Sequence, residues 1–161
     1  MRVVALVALI GIAACHPGGE YAGSSMQAGD LDRGETNGRM FDFVSDKPEG
    51  DDWQIRIRGN SIWASYANES KTDQLGTKAL SQKETDKLWE LVDGLDIPSR
   101  KKGKKDDDNG TVTLRLREPG EDKHDIYTVY VSRETDDEEV LAVGNYLRKL
   151  VTKHFNETPN F

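Results

Sequence analysis

Two hydrophobic periods alternate along the chain from Arg39 onward. Phe41 and Phe43 stand two apart and predict a short strand. Trp53, Ile55 and Ile57 alternate with Gln54, Arg56 and Arg58, and Ile62, Ala64 and Tyr66 alternate with Trp63 and Ser65. Between the two runs, Gly59-Asn60 is a two-residue hairpin signal. Such a loop sets the register: Ile57 faces Ile62, Ile55 faces Ala64 and Trp53 faces Tyr66, so all six share one face. The same register sets Arg56 opposite Trp63 on the other face.

The period then lengthens. Ser81 and Glu84 have the spacing of a capping box, and Leu88, Leu91, Val92 and Leu95 form a helical stripe with Trp89 beside it. This predicts a helical region over residues 80–97, ended by Gly94 and Pro98. Residues 99–110 (SRKKGKKDDDNG) read as a charged loop. Val112, Leu114 and Leu116 then alternate with Thr113, Arg115 and Arg117. Pro119-Gly120 turns the chain, and Tyr127, Val129 and Val131 mark the returning strand. Thr135 and Glu138 have capping-box spacing ahead of a stripe of Val140, Val143, Leu147, Leu150 and Val151, which Phe155 extends. Gly144 on that stripe suggests close helix–sheet contact. The order is ββ(β)α-ββα, and the expected fold is α+β: an antiparallel sheet with two helices on one face. Ile55-Arg56-Ile57-Arg58 echoes Leu114-Arg115-Leu116-Arg117, which hints at two similar halves.

The first residues follow neither period. Met1-Arg2 precedes an apolar run from Val3 to Ala14. That run is shorter than the roughly 20 residues a helix needs to cross a bilayer, and it has the length and flanks of a secretory signal peptide. Ile12-Ala13-Ala14-Cys15 resembles the lipobox of bacterial lipoproteins. The resemblance implies that the Cys15 thiol receives a diacylglycerol and that the signal is cut before it, with further acylation such as palmitate. Two or three chains anchor stably where one does not. Residue 16 is His rather than Asp, which in a Gram-negative host is similar to lipoproteins sorted to the outer membrane. Residues 16–38 are rich in Gly and Ser and lack apolar periodicity, so they read as a tether with a reach of roughly 25 Å. The expected organisation is a signal peptide at 1–14, a lipidated Cys and tether at 15–38, and one α+β domain at 39–161.

Composition narrows the chemistry. The net charge of −7 disfavours nucleic acid as a partner. One cysteine excludes an intramolecular disulfide or a Cys-rich zinc site. His16, His124 and His154 are scattered, and no HExxH, GxSxG, P-loop or GxGxxG motif occurs. No cofactor and no enzymatic activity are therefore expected. The run Asp106-Asp107-Asp108 invites a cation. Setting Gly110 at the sixth position of an EF-hand loop, however, puts Lys105 first and Leu116 twelfth, and neither is a ligand. A solvated loop of Lys and Asp is the expectation there.

Arg56, Arg58, Arg115, Arg117, Trp63 and Tyr130 are predicted to point away from the helices. Arg and aromatic side chains are the ones enriched at binding hot spots, so this face is the candidate binding site, weighed against an ordinary solvated sheet face. The element order, Leu80-Ser81 at the start of the first helix, and the Leu88–Val92 stretch resemble the emfourin family, small bacterial inhibitors of thermolysin-type metalloproteases. The strand pair over 111–131 belongs to the same resemblance. Membership would imply protease inhibition. Two functions are thus expected to compete. One is a membrane-anchored envelope lipoprotein whose small non-enzymatic domain binds another envelope protein. The other is an emfourin-like inhibitor.

Overall fold

The computed structural model describes residues 38–68, 71–120 and 124–161. The elements run β1 (Met40–Asp46), β2 (Asp52–Arg58), β3 (Ser61–Ala67), β4 (Thr72–Ala79), α1 (Gln82–Gly94), β5 (Thr111–Pro119), β6 (His124–Ser132) and α2 (Glu138–Phe155). The strands form one antiparallel sheet in the order β4-β3-β2-β1-β5-β6. The fold is α+β, with both helices packed on one face of the sheet.

The β2–β3 hairpin has the register its turn dictates: Ile57 pairs with Ile62, Ile55 with Ala64, Trp53 with Tyr66 and Arg56 with Trp63. β1 lies between β2 and β5, so α1 carries the chain from the β4 edge across the sheet to β1's other side. Phe41, Phe43, Ile55, Ile57, Ile62 and Leu114 meet Leu88 and Val92 of α1 and Val143, Leu147 and Val151 of α2 in one core. Each large side chain removed from water there contributes about 1.5–3 kcal/mol.

β4 is the strand that the hydrophobic pattern does not announce. Its sequence, TDQLGTKA, is polar, and it pairs with β3 alone at the edge of the sheet. The register slips between Ala64 and Ser65, where Leu75 is the extra residue and Gly76 takes a φ of 85°. This bulge breaks the even row of backbone groups that an edge strand otherwise presents.

α1 begins with the capping box expected at Ser81 and Glu84. Trp89 of α1 donates its indole N–H to the Gly59 carbonyl at 3.1 Å, and the Arg39 guanidinium lies 4.7 Å from the Trp89 ring. The β2–β3 turn and the start of β1 are thereby held against one helix.

α2 starts later than the Thr135–Glu138 spacing implies. Its N-cap is Asp137, whose carboxylate accepts the Val140 N–H at 3.1 Å, while the Thr135 hydroxyl accepts the Asp137 N–H at 3.2 Å. Arg100, in the loop after α1, ion-pairs with Asp137 and fixes it as the cap. Gly144 lies over Phe43, and a Cβ there would sit 3.8 Å from the ring, so space alone does not demand glycine.

Beyond α2 the chain folds back. The Phe161 ring packs 4.7 Å from Phe43 and 6.4 Å from Trp53. Arg133 donates to the Asn160 carbonyl, and Arg148 donates to the Pro159 carbonyl at 3.1 Å.

Candidate functional site

The sheet face opposite the helices is built by alternation. In β1 the positions Met40, Asp42 and Val44 point there; in β2, Gln54, Arg56 and Arg58; in β5, Thr113, Arg115 and Arg117. β3 adds Trp63, and β6 adds Ile126, Thr128 and Tyr130. All six side chains expected on this face, Arg56, Arg58, Trp63, Arg115, Arg117 and Tyr130, are on it. They do not form one uniform patch. Register sorts them into rows that run across the strands.

The first row is Arg58–Met40–Arg117–Ile126. Ile126 is 57% exposed, the most exposed large apolar side chain among the described residues. The next row is Trp63–Arg56–Asp42–Arg115–Thr128. Arg56 Nε lies 2.6 Å from Asp42 Oδ1, with side chains 15% and 8% exposed. The third row is Gln54–Val44–Thr113–Tyr130. Lys102 Nζ and Lys105 Nζ lie 5.7 Å and 6.0 Å from the centroid of the Tyr130 ring, within cation–π range. Beyond it, the β1–β2 turn brings Asp46 and Asp52 together. Burial and the neighbouring Asp52 push the Asp46 carboxyl above its usual value, against the pull of Lys105 and Arg133. The Met40 end of the face thus carries Arg58 and Arg117, and the Asp46 end carries Asp46 and Asp52 beside Lys105 and Arg133.

Three members of this arrangement escape the sequence reading. Asp42 is hidden because β1 and β5 are neighbours in space but far apart in the chain. A carboxylate between two phenylalanines in a strand is the one signal that points to it. Lys102 and Lys105 reach Tyr130 because their loop runs along the β6 edge. There the Tyr130 N–H donates to the Lys102 carbonyl at 2.7 Å, and Gly103 passes so close that a Cβ would lie 2.1 Å from the Tyr130 oxygen.

The aspartate loop is used by its own turn. Asp106 Oδ1 accepts backbone N–H groups of Asp108 and Asn109 at 3.1 and 2.9 Å, and Oδ2 accepts the Asn109 amide at 3.2 Å. Hydrogen bonds from the Ser132 hydroxyl first, and then from Asn109, lower the Asp106 carboxyl to about 2. Among the described residues, no three His, Cys, Asp or Glu side chains are grouped to hold a metal ion. A shallow cavity of about 270 Å³ opens at the β1–β2 turn, lined by Lys47, Glu49, Asp52 and Asn68 among others. No described helix is long and apolar enough to cross a membrane. Cys15 and residues 16–37 of the tether lie outside the described residues.

No protein-family model matches the chain, and no curated protein matches it.

Proposed function

We propose that the protein is a lipid-anchored envelope lipoprotein whose domain is a non-enzymatic binding module, docking another envelope protein through the sheet face opposite the helices. The observation that carries the docking site is the asymmetry of the sheet. One face is sealed by α1 and α2 over an apolar core, while the other sets arginines, Trp63, Tyr130 and the exposed Ile126 in register. Arg, Trp and Tyr are the side chains that carry most binding energy at interfaces. The anchor rests on Ile12-Ala13-Ala14-Cys15. Lipid on Cys15 would hold the domain within a tether's reach of the bilayer and raise its effective concentration near other envelope proteins.

Two measurements test this. Mass spectrometry of the mature protein should find Cys15 at the N-terminus carrying acyl chains, and Cys15→Ala should leave the precursor uncleaved there; an unmodified thiol on the mature chain defeats the anchor. A photo-crosslinker placed at Ile126 in the full-length protein in cells should trap a specific envelope protein. The same group at Lys149, exposed on α2, should not. Adducts from Lys149 alone would move the interface to the helices and defeat the docking site.

A further inference from the structure

We propose a second binding site, independent of the outer sheet face: the groove filled by residues 159–161 takes an extended segment of a protein partner that carries a tyrosine. α2 ends where Asn156 adopts a φ of 59°, and residues 157–161 belong to no helix or strand. Two arginines hold them through the main chain. Arg148 on α2 donates Nε to the Pro159 carbonyl at 3.1 Å and Nη2 to the Phe161 carbonyl. Arg133, just beyond β6, donates Nη2 to the Asn160 carbonyl between them. Successive carbonyls of an extended chain point to opposite sides, and the two guanidinium groups stand where these point. Main-chain contacts of this kind supply affinity without reading sequence, and a side-chain pocket supplies the selection.

That selection falls to one ring. Phe161 lies 4.7 Å from Phe43 and 6.4 Å from Trp53 between ring centroids, with the Arg148 guanidinium 5.3 Å away. It fills this corner without completing it. Ser45 and Trp53 are direct cross-strand partners on the core face of the sheet. Ser45 is 0% exposed and Trp53 3%, yet Ser45 Oγ and Trp53 Nε1 have no hydrogen-bond partner among the described residues. Arg133 Nη1 is buried in the same condition. Polar groups shut away from water are ordinarily paired, because an unpaired one forfeits its hydration for nothing.

A phenyl ring offers these groups no acceptor. A tyrosine in its place brings a hydroxyl that accepts from Trp53 and pairs with Ser45, and a chain that runs on past it brings a further carbonyl to Arg133. Residues 159–161 therefore act as a plug that a better-matched segment displaces. The same residues of a second copy would bring the same ring and leave the same groups unmet, so the occupant is a different protein.

The probe is a fluorescein-labelled peptide, Thr-Pro-Asn-Tyr-Gly, beside counterparts with Phe or Ala in place of Tyr, each titrated by anisotropy against the full-length protein. The Tyr peptide should bind at least about tenfold more tightly than the Phe peptide, and the Ala peptide should not bind. Phe161→Ala should strengthen Tyr-peptide binding several-fold, because the plug no longer competes. Phe161→Tyr completes the corner from within, so it should weaken peptide binding and raise the unfolding midpoint. Adding Arg148→Met or Arg133→Met to Phe161→Ala should abolish binding, and Lys83→Glu on α1 should leave it unchanged. Circular dichroism checks that each variant is folded, and Phe161→Leu takes the place of the alanine variant if that one unfolds. Equal binding of the Tyr and Phe peptides, no peptide binding by the Phe161→Ala protein, or binding that survives both arginine changes overturns the inference. Concentration-dependent dimers of the wild type that Phe161→Ala dissolves would give the groove to a second copy and overturn it as well.

Discussion

Arg56 and Asp42 face each other across adjacent strands, Nε to Oδ1 at 2.6 Å, in the middle of the sheet face that the helices leave uncovered. Both side chains are largely withdrawn from water, so neither tolerates loss of the other. Arg56 holds a carboxylate that would otherwise be left in a poorly hydrated site, while Arg58 and Arg117 flank the uncharged Met40 at the end of the sheet.

Removing one member of the pair should therefore cost more than an exposed ion pair could. Arg56→Ala is expected to destabilise by about 3 kcal/mol, because it removes the guanidinium that hydrogen-bonds the largely buried Asp42 carboxylate. Replacing both, as Asp42→Leu/Arg56→Met, should recover most of that loss, since the ion pair is then removed whole. Urea unfolding of the three variants measures it. Equal loss in the single and double variants would show that packing, and not the unpaired charge, governs the site.

The loop after α1 makes a sharper demand on one residue. Gly103 has a φ of 72° and runs against the Tyr130 carbonyl. Gly103→Ala should displace the loop from the β6 edge, cost about 1–3 kcal/mol, and raise self-association by baring that edge. Unfolding midpoints and light scattering report the two effects. A variant with the stability and the light scattering of wild type would mean that the loop does not guard the edge.

Acid should act through Glu84, which joins the start of α1 to the end of α2. Its Oε1 lies 2.7 Å from Lys153 Nζ and 3.1 Å from His154 Nε2, and its Oε2 accepts the Ser81 N–H at 2.9 Å. The Lys153 hydrogen bond, then those from Ser81 and His154, hold the carboxyl well below its ordinary 4.5 in spite of desolvation. A carboxyl depressed by folding adds stability that is fully present above its unfolded pKa and is lost as pH falls through the folded one. Glu84→Gln should thus be less stable than wild type at pH 7, and the gap should close below pH 4.5. Stability measured across pH for both proteins decides it, and a constant gap would place the effect elsewhere.

Phe161 is the wedge at the other end of the core. It sits against Phe43 and Trp53, with the Arg148 guanidinium 5.3 Å from its ring. Being only partly buried, Phe161→Ala should cost about 1–3 kcal/mol, less than a fully enclosed aromatic. The Trp53 fluorescence should shift as its environment opens. Unchanged stability and emission would mean that the tail does not seal this part of the core.

Much of the fold was legible along the chain, and the reason is local. In the β2–β3 hairpin, a two-residue turn and a period of two leave one register that puts Trp53, Ile55 and Ile57 on the same side as Ile62, Ala64 and Tyr66. The Ser81–Glu84 cap closes within one helical turn, so four residues suffice to place it. β4 was not legible, because an edge strand buries too little to need a hydrophobic period.

For the candidate site, alternation by itself determined that Arg56, Arg58, Trp63, Arg115, Arg117 and Tyr130 point away from the core, since side-chain direction in a strand depends only on parity. Which of them act together was decided by tertiary structure. The pairing of β1 with β5 joins residues more than 60 positions apart, and no local pattern encodes it. That pairing sets Asp42 between Arg56 and Arg115 and Met40 between Arg58 and Arg117, and so brings outward side chains of separate hairpins onto one face.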